Sequence, residues 1–149
     1  MPDKQSVPKI LVASGPVIVE YGGVFLSKHG EDGFWKFPGG KVDDFSGKDI
    51  DPLFLENACI KAAKDEIGVT VIPLYPLKPM MIPRPGSSCE WIVLIHYLAR
   101  RDGLFNLRKD VTGFQKFDIR SILNGSLEGK ESFAPNMIPV LEEYMKKIM

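Results

Sequence analysis

Asp65 and Glu66 stand side by side at the end of the helical pattern PLFLENACIKAAKDEIGV, and no other residues in the chain point as directly to chemistry. Carboxylates in the last turn of a helix oppose its dipole at about 0.3–1 kcal/mol each, so both need a compensating partner. Lys61, four residues earlier, supplies one for Asp65. Glu66 has only Ala62 and Ala63 one turn back, which leaves two readings, a solvated surface position or a bound cation. Upstream, FWKFPGGKV runs an aromatic strand into Gly39, Gly40 and Lys41, where backbone free of side chains can turn sharply and approach a ligand. Between the two lies an acidic linker with Asp43, Asp44, Asp49 and Asp51. Its ordinary reading is a solvated loop, and the other is an aspartate leaning over the cation position.

This segment resembles the box of the Nudix hydrolases, G-x5-E-x7-R-E-U-x-E-E-x-G-U, with U a bulky aliphatic residue. FWKFPGGKV is similar to the stretch leading into that box, and Lys61 to Val69 to its second half. Lys61 stands for the arginine and Asp65 for the first glutamate of the final pair. Ala62 replaces a carboxylate that the family uses on the metal or as base. About seven extra residues separate Gly40 from Lys61, so Asp43, Asp44, Asp49 and Glu56 all remain candidates for the first glutamate.

The resemblance implies a Nudix-like α/β/α sandwich with a mixed β-sheet. It also implies metal-dependent hydrolysis of a nucleoside diphosphate linked to another moiety. In that scheme Mg²⁺ (or Mn²⁺) is held by Glu66, Asp65 and the Gly40 carbonyl, and Lys61 orients the carboxylates. Glu56 or Asp110 serves as a further acid or base, and Gly39, Gly40, Lys41 and Arg84 meet the substrate. For Asp110, flanked by Arg108 and Lys109, a turn position is an equal reading. The alternative function, favoured by Ala62, is a non-catalytic Nudix-like module that binds a nucleotide or a protein.

The elements that must position these residues are legible in outline. Asp51 as cap, Pro52 at the first helical position and Gly68 past the end bound a helix over 52–67. Its small face, Leu55, Ala58, Cys59, Ala62 and Ala63, suits close packing on a sheet. Strands are expected at 10–13, 17–20 and 24–28, punctuated by Gly15-Pro16 and Gly22-Gly23, and a hairpin tip at 30–33 leaves His29 as an exposed turn residue. Five prolines between 73 and 85 preclude a central strand throughout and predict an irregular edge that carries Met80, Met81 and Arg84 toward a pocket mouth. EWIVLIHYLAR, 90–100, is apolar on both faces and reads as a covered strand with His96 as a core histidine. Trp35 and Trp91 are both expected to be buried. Residues 105–107 and 112–117 supply last strands, Asp118 caps a short helix, and a C-terminal helix from about Asn136 carries the stripe Ile138, Leu141, Met145, Ile148.

At 149 residues and 44% hydrophobic, the chain has the size of a single domain, 1–149, with a proper core. Nineteen basic residues balance nineteen acidic ones, so no global field draws nucleic acid or a membrane surface, and a small nucleotide-type molecule is the expected partner. Cys59 and Cys89 read as small buried residues, not a disulfide framework. The N-terminus lacks an apolar signal core, and a cytoplasmic protein is expected. Oligomeric state leaves no signature.

Overall fold

The computed structural model describes residues 9–30, 33–42, 53–84 and 90–148. The acidic linker with Asp43, Asp44, Asp49 and Asp51, the Pro52 helix start and Cys89 lie outside the described residues. The elements are β1 (Lys9–Glu20), β2 (Gly23–His29), β3 (Gly40–Lys41), α1 (Phe54–Ile67), β4 (Thr70–Pro76), β5 (Met80–Pro83), β6 (Glu90–Asp102), β7 (Val111–Asp118), α2 (Ile119–Leu123) and α3 (Met137–Ile148). Among the described residues the strands form one seven-stranded sheet in the order β4-β6-β1-β2-β7, with β3 added to β1 and β5 to β6. It is mixed, since β1 runs parallel to β6 and every other pairing is antiparallel.

Strand alternation sends successive side chains to opposite faces, and each face has its own core. On one, Ile18, Val71 and Ala99 pack against Ala63 and Ile67 of α1, with Phe25, Phe105 and Phe114 around them. On the other, Val17, Val24, Leu26 and Phe117 pack against Ile119, Ile122, Met137, Val140 and Leu141 of α2 and α3. This is the α/β/α sandwich with a mixed sheet that the box resemblance implied. No helix among the described residues is long and apolar enough to cross a membrane.

Several expectations need correction. Gly15-Pro16 does not interrupt β1, whose ladder with β6 runs unbroken from Lys9 to Ile18. Pro16 falls between the β3 pairing at 13–14 and the β2 pairing at 19–20, where no second neighbour requires its missing donor. Residues 105–107 form no strand; instead, the Asn106 and Arg108 amides donate to the Ile67 and Glu66 carbonyls at the end of α1. Trp35 is buried, but Trp91 is 37% exposed, because α1 meets the same face of β6 further along, at Ala99. On α3 the buried stripe is Met137, Val140 and Leu141, while Ile138 and Ile148 face solvent. The prolines act as expected. β4 and β5 are short edge strands, and the β4–β6 register slips between Pro73 and Tyr75.

Candidate functional site

The box residues gather where α1 ends against the Gly-Gly turn. Gly68 takes the left-handed conformation that stops α1, and a side chain there would meet the Asn106 carbonyl at 2.1 Å. The Gly39-Gly40 turn is held by β3, which pairs Gly40 with Ser14 and Lys41 with Ala13. It also fits a notch in β1, since a Cβ on Gly15 would lie 1.9 Å from the Pro38 carbonyl oxygen. Glycine at 15 is therefore the condition for that approach.

Glu66 is 1% exposed and points into this junction. Its Oε2 accepts from the Gly39 amide at 2.7 Å. Its Oε1 accepts from the Ser27 hydroxyl at 2.8 Å and is in close contact with His29 Nε2. Three donors thus converge on one buried carboxylate, so Glu66 does not lack a partner and His29 is not an exposed turn residue. Both partners on β2 were missed by sequence reasoning. The available signal was the period of two, because Ser27 and His29 continue the face of Phe25, which packs under α1.

Most of the remaining expected residues lie in two cavities that share Gly39, Gly40 and Lys41. A cavity of about 480 Å³ lies over the last turns of α1, lined also by Asn57, Ala58, Lys61, Ala62, Asp65, Glu66 and Arg108. Ala62 therefore lines a cavity and is not packed core. Asp65 is half-exposed and accepts from Lys61 Nζ at 2.6 Å. Arg108, another residue missed in the sequence, is carried here by its amide bond to the Glu66 carbonyl and is paired with exposed Asp110, whose carboxyl the guanidinium holds below its usual range. Glu56 is on α1 but lines neither cavity.

The second cavity, about 540 Å³, lies between β1, β5, β6 and the segment before α3. Leu11, Phe34, Phe37, Ile82, Ile92, Leu94 and Pro135 give it apolar walls, and Lys9, Lys36 and Arg84 also line it. Arg84 Nη1 donates to Glu90 at 2.6 Å. Three buried polar side chains line the same space. His96 donates from Nδ1 to the Gly15 carbonyl, and burial pushes its pKa down to about 4, so the ring is neutral. Ser14 Oγ and Asn136 Nδ2 have no hydrogen-bond partner among the described residues.

A divalent cation of the kind the box resemblance implies would need free oxygen ligands from these side chains. Both Glu66 oxygens are already engaged by protein donors, Asp65 is turned to Lys61, and position 62 carries no carboxylate. No group of three or more metal-ligating side chains occurs among the described residues. The described donor set does not fit a cation held by Glu66.

No family model and no curated relative matches the sequence. Solved structures do. The chain is similar to a MutT Nudix hydrolase from Burkholderia pseudomallei, at 23% identity and TM-score 0.71 over 91% of this chain and 98% of that one. It is similar to a Nudix hydrolase from Nitrosomonas europaea, at 15% identity and TM-score 0.73 over 93% and 90%. A C. elegans Ap4A hydrolase, crystallised as a binary complex, aligns at 17% identity and TM-score 0.68 over 93% and 97%. At these identities the likeness is one of fold, and the fold is that of the Nudix hydrolases.

Proposed function

We propose that this chain, as one cytoplasmic domain, binds a nucleoside diphosphate linked to another moiety and hydrolyses the diphosphate, as a Nudix-type pyrophosphohydrolase. The observation that carries this reading is that two cavities of different chemistry meet at Gly39, Gly40 and Lys41. An aromatic, mostly uncharged group suits the apolar cavity, where the unpartnered Ser14 hydroxyl and Asn136 amide and the neutral His96 offer hydrogen bonds. A diphosphate leaving that cavity passes over the Gly-Gly turn into the space lined by Lys41, Lys61 and Arg108. Hydrolysis is carried over from the fold by analogy. Mg²⁺ or Mn²⁺ is the cofactor of that analogy, and no step through it is derived from these side chains.

Ala62 and the engaged Glu66 favour a second reading, a module that binds the same compound without cleaving it. One experiment separates the two. Nucleoside triphosphates, dinucleotides and nucleotide sugars are screened for phosphate and nucleotide release and, in parallel, for thermal stabilisation, with and without Mg²⁺ or Mn²⁺. Release supports the hydrolase, and stabilisation without release supports the binding module. Neither response to any compound would remove both readings.

A further inference from the structure

An ionised carboxylate has about four acceptor sites, and three of those on the buried Glu66 are already taken by protein groups. Its two oxygens take the Gly39 amide, the Ser27 hydroxyl and the His29 ring, each from an element other than α1. The bond to Gly39 acts on the residue where both cavities meet, and a Cβ there would stand 2.5 Å from the Ser14 carbonyl, so the turn is already fitted closely to β1. Losing the Gly39 acceptor would remove a bond that holds the turn against α1. Across the cavity the described lining carries three cations, Lys41, Lys61 and Arg108, against the carboxylates Asp65 and Glu66. The pairs of Lys61 with Asp65 and of Arg108 with Asp110 are exposed, and such pairs contribute little, so a more highly charged phosphate can replace their carboxylates.

We propose that Glu66 is a positioning residue that shapes the Gly39-Gly40 turn through the Gly39 amide, and that this cavity seats a diphosphate on Lys41, Lys61 and Arg108 instead of on a Glu66-bound divalent cation. The inference rests on the diphosphate seat of the proposed function and departs from it in how the charge is met. Both parts are read by amide NMR of the full chain titrated with Mn²⁺, then with inorganic pyrophosphate in EDTA or in Mg²⁺. Stoichiometric Mn²⁺ should leave the Gly39 and Ser27 amides sharp, and Glu66→Gln should move the Gly39 amide upfield, a signature that general loosening does not produce. Pyrophosphate should bind in EDTA within about three-fold of its affinity in Mg²⁺, and Arg108→Ala should weaken it roughly five-fold or more. If Glu66→Gln fails to fold, Ser27→Ala keeps the carboxylate, and the Mn²⁺ titration needs only the unaltered protein. Early broadening of Gly39 and Ser27 by Mn²⁺, with pyrophosphate bound only in Mg²⁺, would overturn the inference and leave the proposed function standing. Pyrophosphate bound in neither condition would instead remove the seat on which both depend.

Discussion

The two cavities hold buried polar groups in opposite states. Over α1, Glu66 is fully buried and its oxygens meet the Ser27 hydroxyl, the His29 ring and the Gly39 amide. Beneath the sheet, Ser14 and Asn136 are 0% and 3% exposed, and Ser14 Oγ and Asn136 Nδ2 have no hydrogen-bond partner among the described residues. Burying a polar group without a partner costs free energy, so the satisfied carboxylate is explained by the fold alone and the orphaned atoms are not. The contrast separates a charge bonded within the fold from polar atoms left open at the wall of a cavity.

The largest expected effect breaks the satisfied side. Glu66→Leu strands a hydroxyl, an amide and an imidazole at once, and urea unfolding should show a loss of about 4 kcal/mol, within the range for removing one member of a buried charged network. A loss below about 1 kcal/mol, the size of an exposed pair, would mean that the three bonds are not formed together. His96 comes next. Its pKa is held near 4 by burial against an ordinary 6.5, so the unfolded chain binds a proton that the folded chain refuses between those values. Stability should be complete above pH 6.5 and fall by about 3 kcal/mol as pH drops toward 4. His96→Leu should flatten that part of the profile, and an unchanged profile would place the acid sensitivity elsewhere.

Smaller effects sharpen the other side. Ser14→Ala deletes an orphan and should change stability by no more than about 0.5 kcal/mol, while lowering affinity for whichever compound the screen identifies. A stability loss near 2 kcal/mol would show that the hydroxyl is bonded in the free protein. The smallest effect is expected at Cys59, where burial pushes the thiol up to about 12. Native protein should not react there with a thiol reagent at pH 8, and full labelling should require denaturant.

Local signals in the sequence located the helix end, the edge strands and the covered strand well, because Gly68, the prolines of 73–83 and the apolar run of β6 act on their own neighbours. Residues whose roles depend on distant partners were harder to place. Gly15-Pro16 reads as punctuation until the Pro38 carbonyl is known to lie against Gly15. His29 lacked a visible carboxylate because Glu66 is 37 residues away. Ala62 read as packing because helical periodicity names a face but not what stands opposite, and what stands opposite is a cavity. Six residues singled out from the box, Gly39, Gly40, Lys41, Lys61, Asp65 and Glu66, line one cavity, but the box names few of the residues that line the other. It did not reveal that the best-preserved carboxylate is committed to hydrogen bonds within the protein.

The unbroken ladder between β1 and β6 also bears on how the chain reaches this structure. It joins Lys9 to Glu90 and each following pair at the same sequence distance, so the central strand pair closes only after most of the chain has been made. The β2–β7 ladder spans still more, joining Gly23 to Asp118, and the β1–β2 turn at Tyr21-Gly22 is the nearest thing to a local nucleus in this half of the sheet. Loop closure must precede any gain from these contacts, which places folding among the slow topologies, on the order of milliseconds to seconds. During that interval β1 and β6 expose apolar edges to other chains, and refolding yield should fall as protein concentration rises.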